Sequence, residues 1–537
     1  MGRQEHATEA PAPASNPAAV GAAIGSGRDA LLVTAGILLS RVFGLVRQRV
    51  VGHYFGISAF ADVIVASFRI GNLFQNLLGE GTLSASFIPV YARTRAAGRS
   101  DEATRFALTA LGFLLLAAGA ASAVGVALAP ALTRILAPGF EGDRLALTTG
   151  AVRVLFPMTA LLVLSAWALG VLNAHRRFFL AYAAPTAWSA AQIAALVGFG
   201  EGLGRRGEPL LAALVWSALA GAVLQVIVLV PAARSLIGTI RPRLDASDPR
   251  LREAVARLPS VLLGRGVVQL SGLVDLALVS FFGTGAQAAM STAQMIYFLP
   301  MAILGTGEAA AALPDLAAET AEADLDRRNA RLRARLGGAL ARVTTLTVPA
   351  TLVLALLGGE ILRVCLQSGE FDEAATERVR EIVVAYAFAL LGNASARVLT
   401  TTAWALGDTR TPARYAIGRV VASTACSLVL MQRFEVVGVV LGAVLAAWVE
   451  TIALGWKLHK QLGGLGLEHV PGARIALLGA ASIAPALIVR WALPTPIART
   501  FAGSLLVLAV FGGAFALAAP ALGLLDLRSL WRRRARR

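Results

Sequence analysis

Polar and ionisable residues are concentrated in the first two apolar stretches of the chain. Arg41 and Arg47 flank Gly44 in an otherwise apolar run, and the next stretch carries Asp62, Arg69, Asn72, Gln75, Asn76 and Glu80. The arginines outnumber the acids, so the two stretches hold a positive surplus. Guanidinium groups bind phosphate bidentately, and this surplus therefore indicates an anion-binding site. The alternative is that Arg41 or Arg47 simply pairs with Asp62 or Glu80 as internal ion pairs.

The second half of the chain has fewer such residues. Arg265 lies in an apolar stretch one turn before Gln269, with Asp275 further along, and Glu308 lies in the following stretch. An ionisable residue at membrane depth costs about 2.5–3.5 kcal/mol on insertion scales, so each one marks a cavity or a fixed ion pair. Arg265 either reaches the same cavity or pairs with Glu308 or Asp275, and the sequence leaves both open.

These positions define the candidate site. The residues expected to line a cavity and bind substrate are Arg41, Arg47, Arg69, Asn72 and Arg265. The residues expected to orient these arginines are Asp62, Glu80 and Glu308, because carboxylates repel an anionic ligand. Gly71, Gly79 and Gly81 predict that the second stretch is bent or broken beside a cavity.

The elements that position these residues are membrane helices. The chain has 537 residues, of which 57% are hydrophobic and 15% charged, whereas soluble proteins carry about 25% charged residues. About fourteen stretches are long and apolar enough to span a bilayer, which needs about 20 residues. The sequence therefore predicts an all-α polytopic membrane protein with about fourteen transmembrane helices.

The charge distribution predicts the orientation. Lys and Arg outnumber Asp and Glu by 49 to 32, and the cations recur in the even-numbered loops. The positive-inside rule then places both termini in the cytoplasm. The expected location of this multi-pass chain is the inner membrane of a bacterial cell. The same rule accounts for the net charge of +17 without a nucleic-acid partner.

A weak internal repeat predicts two lobes. Phe55-Gly56 is echoed by Phe282-Gly283, and Pro138-Gly139-Phe140 by Gly369-Glu370-Phe371, at offsets of about six helices. Two such six-helix lobes usually hold the substrate site at their interface. The expected divisions are a disordered tail (1–27), an N-lobe (28–234), a cytoplasmic linker (235–257), a C-lobe (258–460), two further helices (461–525) and a basic tail (526–537).

The sequence carries no pattern typical of an enzyme. It has no Walker A loop, no dinucleotide fingerprint and no zinc-ligand pair, and its two cysteines and five histidines are scattered. The loops between the predicted helices are too short to hold a catalytic domain. We therefore expect a transporter without cofactors or metals.

Five short motifs are more specific than the general pattern. They are 40–47 (SRVFGLVR), 68–72 (FRIGN), 137–140 (APGF), 369–372 (GEFD) and 405–412 (ALGDTRTP). In this order and spacing they resemble the MurJ (MviN) family of lipid II flippases in the MOP (MviN/MATE/Wzx) superfamily, and the resemblance covers residues 28–460. It implies a structural or gating role for Gly44, Gly71, Gly407, Asp408, Thr409, Arg410 and Pro412.

The resemblance also implies a mechanism. Two lobes rock about a central cationic cavity, which moves undecaprenyl-diphosphate-linked peptidoglycan precursor from the inner to the outer leaflet. Membrane potential or an ion gradient drives the cycle, and the last two helices form a groove for the polyprenyl tail. The expected partners are the lipid-linked glycan, the membrane and possible cell-wall synthesis proteins, and the chain is expected to be a monomer.

Departures from the family keep alternatives open. Gln75 and Asn76 stand where the family usually carries a basic pair, and Gln294 and Met295 where it usually carries Asp-Arg. Arg265 is the candidate to compensate for the missing cations. The alternatives are a flippase for another lipid-linked oligosaccharide, a MATE-type cation antiporter, which would need cavity acids, and a scaffold that does not transport.

Overall fold

The computed structural model describes residues 27–256, 258–301 and 324–524. Two predicted features, the tails at the two ends of the chain, fall outside these ranges, as does Glu308. The fold class is confirmed, because the described residues form helices joined by short loops. The only strand-like pairing among them is an isolated bridge between Ser368 and Phe371.

The N-lobe packs around one central helix. Its helices are α1 (Gly27–Phe55), α2 (Ala59–Leu78), α3 (Glu80–Ala96), α4 (Ser100–Ala127), α5 (Ala129–Leu136), α6 (Gly142–Ala174), α7 (Phe178–Ala183), α8 (Pro185–Val197) and α9 (Glu208–Ile237). Helix α6 contacts α2, α4 and α9. Its buried Trp167 donates from Nε1 to the carbonyl of Ala107 at 2.9 Å, which satisfies both polar groups inside the lobe.

The break predicted in the second stretch is confirmed. Gly79 separates α2 from α3 with φ −94° and ψ −136°, which is not helical, and its N–H still donates to the Gln75 carbonyl at 2.7 Å. A Cβ at Gly79 would lie 2.5 Å from that carbonyl oxygen. A side chain at this position would therefore disturb the bend that ends α2 beside the cavity.

The C-lobe is arranged in the same way. After the linker helix α10 (Pro249–Ala256) come α11 (Leu258–Val279), α12 (286–301), α13 (Leu325–Cys365), α14 (Glu373–Ala405) and α15 (Arg410–Leu462). Helix α14 packs between α13 and α15. Glu435 breaks α15 with φ +48°, and Ser427 then donates to the Val439 carbonyl at 2.9 Å. The break therefore divides α15 into two helices.

The internal repeat is visible in the helix bounds. Helices α6 and α14 are 33 residues each and begin and end at a constant offset of 231 (373 less 142, 405 less 174). They occupy the same central place in their lobes. The repeat that is weak in the sequence is therefore regular in the helix that organises each lobe.

The last helices are α16 (Gly472–Ala492), α17 (Thr495–Ala498) and α18 (Phe501–Ala521). Both α16 and α18 pack on α13, where Leu357 has non-helical dihedral angles. Arg490 donates to the Leu356 carbonyl at 2.9 Å beside this kink and pairs with the buried Glu360 at 3.1 Å. The appended helices are thus anchored by polar contacts at a break in the C-lobe.

Nine helices among the described residues are long and apolar enough to cross a membrane. One of these nine is α15, which the break at Glu435 divides into two helices. The predicted number of fourteen stays a prediction.

The linker packs on the N-lobe, where Arg250 pairs with Glu102 at 2.6 Å and Arg93 with Glu253 at 2.5 Å.

Candidate functional site: a polar cavity between the lobes

A cavity of about 400 Å³ lies between the two lobes. Helices α1, α2, α8 and α9 of the N-lobe and α11 and α12 of the C-lobe contribute to its wall. The two guanidinium groups of the wall belong to Arg47 and Arg69, and no Asp or Glu lines it among the described residues. An anion is therefore the charged ligand that this cavity can stabilise.

Arg47 is held at the cavity wall by contacts that leave donors free. Its guanidinium carbon lies 4.7 Å from the centre of the Trp188 ring, and Nη1 is 3.5 Å from the Gln192 side-chain oxygen. Its Nε is buried without a hydrogen-bond partner among the described residues. A buried donor without a partner is costly, so a ligand that accepts from this guanidinium would be stabilised.

Arg69 reaches from the N-lobe to the C-lobe across the cavity. A Cβ at Gly272 in α11 would lie only 2.2 Å from Arg69 Nη2, so the absent side chain of Gly272 makes room for the guanidinium. Asp275, one turn further along α11, and Tyr386 interact electrostatically with Arg69. Arg69 is therefore a link between the lobes as well as a cavity residue.

The lobes meet tightly at the end that carries the odd-numbered loops, here called the odd-loop end. The Glu370 N–H donates to the His53 carbonyl at 2.8 Å, and the Gly139 N–H donates to the Ser280 hydroxyl at 2.9 Å. Arg49 donates to the Val364 carbonyl at 2.7 Å. These contacts close the odd-loop end of the cavity.

Glycines make this close approach possible. A Cβ at Gly56 would lie 2.3 Å from the Glu370 carbonyl oxygen, and one at Gly139 would lie 2.2 Å from the Ser280 carbonyl oxygen. Gly56, Gly139 and Glu370 belong to the motifs of the internal repeat, and Ser280 lies two residues before its Phe282-Gly283 motif. The loop after α1 therefore packs on the loop before α14, and the loop before α6 packs on the loop after α11. This crosswise pairing is expected for two related lobes.

Asp62 belongs to this closed end. It is 1% exposed, accepts from the backbone N–H groups of Gly285 at 2.7 Å and Ala288 at 3.0 Å, and pairs with Arg144 at 3.2 Å. Gly285 and Ala288 lie at the start of α12, where helical N–H groups lack intrahelical partners. In this structure Asp62 forms its ion pair with Arg144, whereas the sequence predicted Arg41 or Arg47.

The other predicted residues fall at different places. Asn72 lines the cavity, whereas Arg41 is exposed and is absent from the wall. Gly44 has open space where a Cβ would lie, and Gly71 packs inside the N-lobe on Thr159. The backbones of Arg265 and Glu80 lie in α11 and α3, but their side chains are not described, so their predicted roles stay predictions.

The 407–412 motif forms the turn between α14 and α15. Gly407 has φ +81°, a conformation that favours glycine, and Asp408 accepts from the Thr411 N–H at 2.9 Å. Lys457 donates to both the Asp408 carboxylate and the Thr411 hydroxyl. Hydrogen bonding from Lys457 lowers the pKa of Asp408 to about 2. Pro412 is buried, while Thr409 and Arg410 are exposed. This motif therefore stabilises a turn, and none of its residues is part of the cavity wall.

Several wall residues were missed at the sequence level, and three of them contact or neighbour the arginine site. They are Trp188 and Gln192 of α8 and Gln225 of α9. Gln192 is 1% exposed and Gln225 is 4% exposed, although both line the cavity. A single amide in an otherwise apolar membrane helix was the available signal, since polar groups there usually face the bundle interior.

Two helical lobes that enclose a polar cavity closed at one end form the architecture of a membrane transporter. The fold matches a solved structure described as "Lipid II flippase MurJ, inward closed conformation", with TM-score 0.72 and 17% identity over 94% of this chain and 100% of that one. It also matches an inward-facing multidrug resistance MATE family transporter of the MOP superfamily, with TM-score 0.64 and 15% identity over 81% and 98%.

Sequence comparison is more specific. The chain is 31% identical over 459 residues to the probable lipid II flippase MurJ of Rhizobium tropici, covering 83% of each protein. It is 29% identical over 442 residues to the lipid II flippase MurJ of Burkholderia cenocepacia, covering 80% of this chain and 84% of that one. The family profile described as lipid II flippase MurJ matches residues 51–511. The chain belongs to the lipid II flippase MurJ family.

Proposed function

We propose that this chain moves lipid II, the undecaprenyl-diphosphate-linked peptidoglycan precursor, from the inner to the outer leaflet of the cytoplasmic membrane. The observation that carries the proposal is the Arg47 guanidinium, which lies between the lobes with Nε free of a hydrogen-bond partner among the residues that the structure describes. A diphosphate supplies the acceptor oxygens that this donor lacks. Family membership supplies the substrate class.

The orientation follows from the arginine-rich even-numbered loops. With both termini in the cytoplasm, the closed odd-loop end faces the periplasm, and the cavity receives substrate from the cytoplasmic side. Arg41 lies six residues before Arg47 on α1, about 9 Å nearer to the cytoplasm. Arg41 is exposed in this state and is suited to meet the diphosphate before Arg47 binds it.

Transport then requires the odd-loop end to open. Separating the lobes there breaks the contacts of Asp62 with the start of α12 and of Glu370 with His53. The polyprenyl tail stays in the bilayer along α16 and α18, whose outer residues include Trp491 and Leu517, 87% and 77% exposed. Membrane potential or an ion gradient drives the cycle, and the chain works as a monomer without a cofactor.

A second candidate is a flippase for another lipid-linked glycan. The observation that favours it is the neutral cavity wall at Gln75 and Gln294, where family resemblance leads us to expect cations nearby. Met295 packs against the C-lobe core. Arg265 lies seven residues, about two helical turns, before the cavity residue Gly272 on α11. Substituting Arg265 by Ala and measuring transport tests whether it compensates for the missing cations.

The test is complementation of a bacterial strain depleted of its own lipid II flippase. We expect the wild-type chain to restore growth and Arg47→Ala to fail at equal protein level in the membrane. A control is Arg134→Ala, because Arg134 is exposed on α5 and is not part of the cavity wall. Growth restored equally by Arg47→Ala would contradict the role of Arg47, and no growth with the wild-type chain would favour the other glycan.

A further inference from the structure

The cavity wall is rich in side-chain amides. Helices α1, α2, α8, α9 and α12 together contribute Gln48, Asn72, Gln75, Gln192, Gln225 and Gln294. They come from both lobes, since Gln294 lies in α12 and the others lie in the N-lobe. Six neutral amides next to two guanidinium groups make this a hydrogen-bonding wall more than a cationic one.

Most of these amides have unused hydrogen-bonding groups. Gln192 is engaged, because it donates to the Trp188 carbonyl at 3.2 Å and faces Arg47 with its oxygen. The side chains of the other five make no hydrogen bond to another described residue, and their polar atoms are not fully buried but accessible from the cavity that they line. Their N–H and carbonyl groups are therefore available to bind what the cavity holds.

Amide chemistry narrows the class of ligand. Each amide offers two N–H donors and a carbonyl acceptor without charge. A phosphate only accepts hydrogen bonds, and an ammonium group only donates them, so neither uses both halves of an amide. Sugar hydroxyl and N-acetyl groups both donate and accept, and they carry no charge that would require an arginine.

We infer that the amide wall is a saccharide subsite that recognises the sugar of the lipid-linked substrate, while Arg47 and Arg69 bind its diphosphate. This inference rests on the proposed function, because it divides the same cavity into two parts. Gln225, which is 4% exposed, is the most deeply buried of these five amides. The neutral amides of Gln75 and Gln294 therefore favour binding of the uncharged sugar over binding of a second anionic group.

The experiment compares two ligands on the purified full-length protein. The ligands are undecaprenyl diphosphate and the same carrier bearing the peptidoglycan disaccharide without its peptide. The wild type should bind the glycosylated carrier more tightly. Gln225→Leu should weaken binding of the glycosylated carrier about three- to tenfold, the effect of losing one or two hydrogen bonds, and leave the bare diphosphate unchanged. Gln225→Asn should recover part of the loss.

Matched variants make each result decisive. Gln75→Leu repeats the test from another helix if Gln225→Leu does not fold, and Asn76→Leu on the same helix is the control, because Asn76 is exposed and does not line the cavity. Equal weakening of both ligands, or no weakening, would overturn the saccharide subsite, as would a loss seen only when the peptide is attached. Failure of the wild type to bind either ligand would instead overturn the proposed function.

Discussion

The Asp62 carboxylate accepts a hydrogen bond from the backbone N–H of Gly285 at 2.7 Å, across the boundary between the two lobes. The same carboxylate accepts from Ala288 and pairs with Arg144, which in turn donates to the Gly139 carbonyl at 3.2 Å. One buried acid therefore joins a helix start in the C-lobe to a loop in the N-lobe. This relationship stabilises the state in which the odd-loop end is closed.

Replacing Asp62 by Ala should favour opening of the odd-loop end. The variant loses the charged acceptor for two N–H groups and for Arg144, which should destabilise the closed state by about 2–3 kcal/mol. The measurement is labelling of Ser291→Cys, a cavity position, in a chain whose Cys365 and Cys426 are replaced by Ala. A reagent that cannot cross the membrane, added from the periplasmic side, should react faster by about tenfold or more.

The control for that experiment is Asp143→Ala, because Asp143 is an exposed acid at the same end of the N-lobe. Its labelling rate should match that of the parent chain. Equal protection of the cavity cysteine in the Asp62 and Asp143 variants would show that the Asp62 contacts do not hold the end closed.

Gly56→Ala should oppose closure by steric contact. Its Cβ would lie 2.3 Å from the Glu370 carbonyl oxygen, and backbone atoms cannot move aside as a flexible side chain can. Gly204→Ala is the matched control, because Gly204 has a similar φ of +62° and open space around its Cβ position. Both variants carry the same backbone strain, so the difference in cysteine labelling between them measures the contact alone. Identical labelling would contradict the close packing.

Arg47→Ala should weaken binding of undecaprenyl diphosphate. A hydrogen bond to a charged group contributes about 1.5–3 kcal/mol, so the affinity should fall roughly 10- to 100-fold. Arg47→Lys should restore only part of it, since an ammonium group cannot form the bidentate contact. The binding constant of the purified variants is the measurement. Full affinity in Arg47→Lys would mean that charge suffices and that the guanidinium geometry at Trp188 is not used.

The Asp408 turn gives a pH prediction. Lys457 lowers the folded-state pKa of Asp408 to about 2, below the value of about 3.9 expected when unfolded. The stabilisation is therefore complete above about pH 4 and is lost as the pH falls towards 2. The melting temperature of Asp408→Asn should lie below that of the wild type by a constant amount from pH 7 to pH 5. A difference that changed across this range would contradict the low pKa.

The sequence predicted the parts of the molecule that depend on local pattern. The length of the apolar stretches predicted the helices, and the Phe-Gly motifs predicted the internal repeat. In the structure α6 and α14 begin and end at an offset of 231 residues. The break in the second stretch followed from its glycines, with Gly79 as the actual site. Each of these features is fixed by a few neighbouring residues.

The pairing of charges was less predictable, because it depends on how the lobes meet. Asp62 is close to Arg47 in the sequence, one helix further along, yet its partners are Arg144 and the start of α12, which are distant in sequence. Gln192 and Gln225 were overlooked because a lone amide carries no motif. Only the packing of α8 and α9 against α1 and α2 turns them towards one cavity.

The most direct test of the account is translocation of fluorescent lipid II in proteoliposomes that contain the purified chain. The wild type should move the lipid between leaflets, Arg47→Ala should be inactive at equal protein content, and Arg134→Ala should retain activity. If the wild type leaves the lipid in its original leaflet under an imposed membrane potential and under an ion gradient, the claim that this chain is a lipid II flippase is contradicted.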